Sequence, residues 1–365
     1  MLPKLNVEKH FLRSFTAADQ AEPRVLPDEL PDPAEDALLK RIVKPAPAPP
    51  GKVSIIHTDH VNHFDEEWLI DESELANLGK AAAELGMNEA SSGSASTSTL
   101  VPDTRAQGWA GGVDNRAWKP LGSVYPYNHR ELGKMGKLSN NCTATLLGRR
   151  VVLTAAHCVV GSGGAVQKDY TPRRNGSSAP YGTATHVQSF YPAEYINLGC
   201  VGYTWQNGPT CRPYDWVVQI LDDNPWTTSN GTPGWMGYWV PGTYIQSHSV
   251  LRNEGYPVCG YSDAPGFCIN QNVYGMSSGC NAGSFLSNDS NGQPQVFSFN
   301  CDISPGHSGG PVWSDYPGSN GPYLVGVAIT QDCSTCSSSD TYPNKARSMT
   351  SSLAYLISAA RSAFP

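Results

Sequence analysis

The sequence is poor in charge, and its cysteines are unevenly placed. Only 16% of its 365 residues are Asp, Glu, Lys or Arg, against roughly 25% in typical soluble proteins. None of the ten cysteines lies before Cys142. No apolar run reaches the ~18 residues of a membrane-spanning helix, and no cluster of Lys and Arg resembles a nucleic-acid-binding surface. These deficits argue against a membrane span and against a nucleic-acid partner.

The N-terminal third carries the acidity of the chain. Up to Gly108 there are 10 Lys and Arg against 18 Asp and Glu, a balance of −8, whereas the remainder has 15 against 14. Two low-complexity stretches interrupt this third, the Pro-rich "KPAPAPPG" (44–51) and the Ser-rich "SSGSASTST" (91–99). Such stretches are typical of stiff and flexible linkers, respectively. We therefore expect a partly disordered, detachable appendage rather than a packed domain.

Between these linkers, residues 65–86 have apolar side chains at helical spacing, which predicts one or two amphipathic helices. Just before them, His57, His60 and His63 are close in sequence. No fourth ligand accompanies the three histidines, so we interpret them as part of a solvated turn rather than as a metal site.

The even number of cysteines, all between Cys142 and Cys336, indicates disulfides and an oxidising compartment. The first fifteen residues lack the apolar stretch of a signal peptide. We give the cysteines more weight and expect a secreted protein, whose true start lies upstream or whose export takes another route. Cys333 and Cys336 have the local spacing of a zinc site, but no second close Cys/His pair follows them.

From about residue 109 the chain alternates short β-rich runs with Gly, Pro, Asn and Ser. With 36 glycines and 29 prolines in the whole chain, this pattern predicts an all-β sandwich or barrels. One strand is expected in "TYIQSHSVL" (243–251). The last segment, 350–364, has a helical apolar stripe preceded by a Thr/Ser cluster that can cap it.

"GHSGG" (306–310) places Ser308 between glycines, a pattern that occurs around nucleophilic serines in two unrelated folds. In the nucleophile elbow of α/β hydrolases, the histidine base follows the serine along the chain. The last of the nine histidines here is His307, so no histidine follows Ser308. This order excludes the elbow and leaves the chain order His, Asp, Ser.

Three segments resemble the catalytic segments of the chymotrypsin-like serine proteases. They are "VVLTAAHC" (151–158), "YDWVVQIL" (214–221) and "PGHSGGPVW" (305–313). The resemblance implies His157 as the base, Asp215 as the acid that orients it and Ser308 as the nucleophile. It also implies a Cys142–Cys158 disulfide and an oxyanion hole made by the backbone N–H groups of Gly306 and Ser308.

The resemblance covers roughly residues 109–365 and implies two antiparallel β-barrels. We expect the first barrel at about 113–230, the second at about 235–350 and a C-terminal helix at 350–364. Apart from Cys142–Cys158, the pairs Cys200–Cys211 and Cys259–Cys268 are expected because each closes a short Gly/Pro-rich loop. The pairing of the last four cysteines stays open.

Within this family the sequence is most similar to the secreted glutamyl endopeptidase branch. Members have a non-acidic residue before the serine, here His307, a "GYP" motif, here at Gly255–Pro257, and a "DxR" signature, similar to "GVDNRAW" (112–118). That signature lies near the start of the mature enzyme. The resemblance therefore implies that residues 1–108 are a propeptide, cleaved between about Arg105 and Val113.

The residue preference of the enzyme is ambiguous in the sequence. Asp302, six residues before Ser308, occupies the place of the aspartate that selects Lys or Arg in trypsin-like enzymes. The glutamyl branch also often has an aspartate there, followed by a threonine, with a substrate-binding histidine on a later strand. Here Ile303 and Ala328 stand at those two positions.

We expect basic or relaxed specificity. If glutamate were preferred, the acid-binding groups would come from elsewhere, such as Thr330 and the new N-terminus. The alternative for Asp302 is a structural role, in which it holds the turn before Gly306 through backbone hydrogen bonds.

The sequence thus predicts a secreted, monomeric serine endopeptidase, made as a proenzyme and acting on proteins or peptides. No metal or organic cofactor is required for this chemistry. The alternative from another class is a catalytically silent binding or adhesion protein with the same fold.

Overall fold

The computed structural model describes fourteen stretches of the chain, which form two nine-stranded β-sheets and a two-stranded hairpin. The described residues are 7–15, 44–75, 77–78, 116–118, 134–202, 208–222, 226, 233–248, 251–259, 268–276, 279–290, 292–314, 323–331 and 344–365.

Six strands of the first sheet close into a barrel. They are β5 (Met135–Leu138), β6 (Thr143–Leu146), β7 (Val151–Thr154), β10 (Asp169–Pro172), β11 (Ala184–Pro192) and β12 (Val217–Leu221). The ring closes because β11 pairs with both β10 and β12. Buried aliphatic side chains such as Leu146, Val152 and Ile220 fill the core. The small hairpin of β8 (Val160–Gly161) and β9 (Gly164–Ala165) follows β7.

Three strands of the N-terminal third extend this barrel sheet. They are β1 (Val7–Ser14), β2 (Lys52–Asp59) and β3 (Phe64–Asp71), and all their pairings are antiparallel. Strand β2 lies along the second half of β11, with Asp59 opposite Gln188 and Ile55 opposite Pro192. Ile55 and Ile70 belong to the same apolar core as the barrel. Over these three strands, the packing differs from the expected unpacked appendage.

The helical prediction for residues 65–86 is wrong over its first seven residues, which lie in β3. Helical backbone is confined, among the described residues of this segment, to 72–75 and 77–78. The strand forms because its neighbours stabilise an alternating pattern that includes buried acids. Asp65 accepts hydrogen bonds from Thr58 Oγ1 at 2.7 Å and Arg13 Nε at 2.6 Å. Tertiary pairing has overridden local periodicity.

The histidines of this segment are also packed differently from the prediction. His57 and His60 are 6% and 3% exposed, whereas a solvated turn was expected. The His57 ring stacks on Phe190 of β11 with centroids 4.6 Å apart. His60 Nε2 lies 3.0 Å from Ser189 Oγ. These two histidines therefore belong to the junction between β2 and the barrel.

The second sheet contains the remaining strands. They are β4 (Arg116–Trp118), β13 (Gly237–Tyr238), β14 (Leu251–Gly255), β15 (Tyr274–Met276), β16 (Ala282–Asn288), β17 (Pro294–Phe299), β18 (Pro311–Ser314), β19 (Tyr323–Gln331) and β20 (Asn344–Ser348). The order is β16-β17-β20-β19-β18-β14-β15-β4, with β13 beside β19. Phe297, Phe299 and Val312 are buried in its core. Strand β4 falls in the range expected for the first barrel, but it pairs with β15 in the second sheet.

Helices are short except at the C-terminus. Besides the helical backbone at 72–75 and 77–78, the described helices are α1 (Ala193–Asn197), α2 (Gly208–Cys211), α3 (Ile245–His248) and α4 (Ser351–Ala363), with 3-10 turns at Ala156–Cys158, Arg212–Tyr214 and Gly242–Tyr244. Helix α4 confirms the C-terminal prediction. The Thr350 side chain accepts from the Leu353 N–H at its start. The strand expected at 243–251 is wrong, because 3-10 and α-helical turns occupy residues 242–248.

The described residues contain four disulfides, each between cysteines that are close in sequence. Cys142 bonds to Cys158, Cys200 to Cys211 and Cys259 to Cys268, as expected. The fourth pair, Cys280–Cys301, resolves half of the open question. Cys333 and Cys336 lie outside the described residues. Within the described stretches, none of the helices has the length and apolar character to cross a membrane.

Candidate active site

His157 and Asp215 form a closely hydrogen-bonded pair. The 3-10 turn Ala156–Cys158 carries the histidine just after β7, and Asp215 follows the turn Arg212–Tyr214 before β12. His157 Nδ1 lies 2.7 Å from Asp215 Oδ2. The backbone N–H of His157 donates to Asp215 Oδ1 at 3.0 Å. Both carboxylate oxygens therefore hold the imidazole and its own backbone in one orientation.

This pairing changes the acidity of His157. Burial by itself would lower the pKa of the imidazole, but the charge and hydrogen bond of Asp215 outweigh it, so the pKa is raised. Asp215 is fully buried, while the His157 side chain keeps 25% of its surface exposed. The Nδ1–H donates to the carboxylate, which leaves Nε2 as the basic atom of the ring.

The loop that carries Ser308 is fastened to the first barrel by Thr143 of β6. The Thr143 N–H donates to the Ser308 carbonyl at 2.9 Å, and Thr143 Oγ1 donates to the Gly306 carbonyl at 2.7 Å. Cys158, next to His157, has its sulfur 3.8 Å from the Ser308 carbonyl. These contacts bring the serine segment of the second sheet against the histidine segment of the first.

Gly306 and Gly309 are required by the backbone of this loop. Gly306 has φ +98° and Gly309 φ +77°, which is the left-handed region. A Cβ on Gly306 would overlap the Tyr256 carbonyl oxygen, and one on Gly309 would overlap Thr154 Oγ1. The N–H groups of His307, Gly309 and Gly310 donate to carbonyls of Ser304, Ala328 and His307, respectively. These three N–H groups are thus already engaged within the protein.

Of the four residues considered for substrate specificity, two belong to the apolar core and two are polar. Ile303 and Ala328 are buried in the apolar core of the second sheet. Asp302 is 1% exposed, and Thr330 of β19 is partly exposed. Thr330 lies opposite Lys345 of β20. Only Asp302 and Thr330 of the four are polar groups outside that core.

Lys345 is a residue that the sequence reasoning missed. It is only 7% exposed, and it lies on the face of β20 opposite to Ala346, which is in the core. The preceding Asn344 donates from Nδ2 to the Cys301 carbonyl at 2.6 Å. Lys345 follows Asn344 and Asp302 follows Cys301, so the hydrogen bond between Asn344 and Cys301 joins the segments that carry this buried lysine and this buried aspartate. No motif marks Lys345, since its position depends on strand register.

The close approach of Cys142, His157 and Cys158 is not a metal site. Their ligand-type atoms lie within 4.8 Å of one another, but the two sulfurs are joined in a disulfide. A disulfide lacks the thiolates that bind metals.

A closed antiparallel barrel, a second β-sheet, and a His–Asp pair facing a Gly-rich serine loop together define a chymotrypsin-like architecture. Residues 123–204 match the trypsin family. The glutamyl endopeptidase of Bacillus licheniformis is 29% identical over 152 residues, which cover 40% of this chain and 41% of that protein. Over these residues the chain is thus similar to the trypsin family and to a glutamyl endopeptidase.

Solved structures of low identity were also found. A Glu endopeptidase in complex with MPD has 20% identity and a TM-score of 0.47, over 68% of this chain and 97% of that one. The protease Anisep from Arthrobacter nicotinovorans has 17% identity and a TM-score of 0.44, over 64% and 97%. The match to the curated relative spans about two fifths of that protein's length.

Proposed function

We propose that the chain is a serine endopeptidase that hydrolyses protein or peptide substrates. Ser308 Oγ attacks the scissile carbonyl carbon while His157 Nε2 takes its proton. His157 then gives that proton to the leaving amine, and an acyl-enzyme forms on Ser308. Water, activated by the same imidazole, releases the acid product and restores the serine.

Asp215 and the backbone donors stabilise the charges that develop during the reaction. Asp215 holds the imidazole and stabilises its protonated form. The N–H groups of Gly306 and Ser308 are the proposed donors to the oxyanion, and the positive φ of Gly306 supports this role. The observation that carries the proposal is the His157–Asp215 pair with both carboxylate oxygens engaged. A silent binding protein would have no need of this arrangement.

Hydrolysis of an unfolded protein substrate tests the proposal. Purified wild type should cleave it, and Ser308→Ala should lower kcat by about six orders of magnitude, to background. Ser298→Ala is a matched control, since Ser298 donates to the Ser284 carbonyl in the second sheet. Near-wild-type activity of Ser308→Ala would refute the assignment of the nucleophile.

Residues 1–108 are the proposed propeptide, cleaved between about Arg105 and Val113. Its strands β1–β3 dock on the barrel edge, so we infer that cleavage by itself does not release it. Five residue pairs join β2 to β11, and Arg13 bridges to Asp65 and to the Gly163 carbonyl of the β8–β9 turn. The four disulfides support secretion into an oxidising environment.

The proposed substrate preference is for basic or uncharged residues before the cut. Asp302 supplies a buried carboxylate near the serine loop, and a carboxylate in that position attracts a cation. We infer that Lys345, whose neighbour Asn344 donates to the Cys301 carbonyl, weakens this attraction and moves the preference from strictly basic towards relaxed.

A further inference from the structure

Arg116 of β4 is a buried cation directly behind the serine loop. Its guanidinium is part of a residue that is only 2% exposed. Arg116 Nη1 donates to Ser304 Oγ at 2.7 Å, and the same nitrogen lies 3.4 Å from His307 Nε2. Ser304 and His307 both belong to the loop that carries Ser308. The guanidinium therefore contacts the loop at two points, four residues and one residue before the nucleophile.

His307 extends this contact to the other side of the loop. It is fully buried, and its Nδ1 lies 2.9 Å from Asn253 Oδ1 on β14. Burial, and next the charge of Arg116, hold the pKa of His307 well below its usual range. A neutral ring next to a guanidinium accepts at Nε2, so Nδ1 carries the proton and donates to Asn253.

Asn253 completes the chain of contacts. Its Nδ2 donates to the Pro311 carbonyl at 2.9 Å. Gly255, two residues further along β14, faces His307 so closely that a Cβ there would lie 2.8 Å from the ring. The segment from Ser304 to Pro311 is thus held at its start, middle and end by one polar network. Ser308 and Gly306 lie inside the bracketed segment.

We propose that Arg116 is a positioning residue, which sets the conformation of the Ser304–Ser308 turn so that Ser308 and the oxyanion donors are in place. The inference rests on the proposed peptidase function. One buried guanidinium nitrogen at two hydrogen-bond acceptors is geometrically demanding, because its two N–H bonds lie in the rigid guanidinium plane and fix where both acceptors lie. Arg116 acts on the reaction through the loop and does not touch the substrate.

The test uses Arg116→Ala and Arg116→Lys in the processed protein obtained from the full-length chain, with Arg150→Ala as the matched control. Arg150 donates twice to the Leu221 carbonyl in the first barrel, and its guanidinium lies 5.5 Å from the centre of the Phe364 ring near the C-terminus. Arg116→Ala should lower kcat by about tenfold to a hundredfold with KM changed less than about threefold, because oxyanion and nucleophile geometry affect the transition state. Arg116→Lys should give an intermediate loss, because it keeps the charge without the fork.

Two readouts separate positioning from general stability. Added guanidinium at millimolar concentration should restore part of kcat to Arg116→Ala and none to Arg150→Ala. Hydrogen exchange of peptides covering 301–313 should quicken in Arg116→Ala and stay unchanged in Arg150→Ala. An unchanged kcat in Arg116→Ala, or a loss that matches the control without rescue, would overturn the proposal.

A double-mutant cycle covers the case in which Arg116→Ala does not fold. Arg116→Lys and Ser304→Ala each remove part of one contact, and their effects on kcat should be strongly non-additive. Additive effects would contradict the contact's role. If wild type is inert but Arg116→Lys still quickens exchange in 301–313 alone, the peptidase assignment fails while the coupling of Arg116 to this loop stands.

Discussion

Asp215 directs both carboxylate oxygens at His157, and this arrangement determines how activity depends on pH. His157 must be neutral to accept the proton of Ser308, so kcat/KM should rise with pH through a pKa that Asp215 has raised. Asp215→Asn removes that charge. The acidic limb should then move to lower pH, and kcat should fall by about four orders of magnitude. A pH profile of both proteins checks this, and an unmoved acidic limb would contradict the pairing.

The charges at Asp302 and Lys345 lead to opposite expectations for two variants. Asp302→Ser should lower kcat/KM for an Arg peptide by at least about tenfold and spare a Phe peptide, because the carboxylate that attracts the cation is gone. Lys345→Ala should raise kcat/KM for the Arg peptide. Rates on Arg, Glu and Phe peptides measure both changes. If Asp302→Ser lowers all three rates together, along with stability, Asp302 has only a structural role.

Sequence motifs predicted the proposed catalytic residues, but not the residues that hold them in position. His157, Asp215 and Ser308 stand in short segments whose letters and order are informative on their own. Thr143 and Lys345 belong to no motif, and Arg116 stands in the "DxR" signature, which does not indicate what its side chain contacts. Their roles arise from contacts between distant segments, such as the 2.7 Å bond from Arg116 to Ser304, which no local spacing encodes.

At the scale of elements, the junction of β2 with β11 explains both an error and a success of the sequence analysis. The 350–364 helix was predictable because its apolar stripe and its Thr350 cap agree locally. Residues 65–71 have helical spacing too, but strand β2 offers partners for every residue of β3. Pairing with β2 therefore determines that residues 65–71 form a strand, and the periodicity of the sequence does not predict such pairing.

The same junction should weaken in acid. Burial lowers the pKa of His60 against the opposing charge of Asp59, and with smaller contributions from His57 and His63 the pKa is about 4. The folded pKa is below the unfolded value of about 6.5, so stability is full above pH 6.5. It falls as the pH drops from there to about 4, by about 3 kcal/mol.

Urea melts at pH 7 and pH 4.5, in a Ser308→Ala background that prevents self-digestion, measure this loss. His60→Gln keeps a neutral side chain and should lose less stability in acid than its parent. Equal acid sensitivity of the two proteins would show that His60 does not titrate on unfolding as expected.

At the scale of the whole molecule, the docked strands β1–β3 should keep the N-terminal fragment bound to the enzyme after cleavage. Active material should contain a chain whose N-terminus lies between about Arg105 and Val113. At neutral pH, the N-terminal fragment should co-elute with it, because Ile55 and Ile70 share the core of the barrel. N-terminal sequencing after gel filtration checks both statements. A full-length chain as active as any processed form would refute the propeptide.

The central claim is that Ser308 is a nucleophile activated by the His157–Asp215 pair. The most direct measurement is reaction with a fluorophosphonate, followed by mass spectrometry of the digested protein. The account predicts one adduct, on the peptide that contains Ser308, and a labelling rate that collapses in His157→Ala. An unlabelled wild type, or an adduct on another serine, would contradict it.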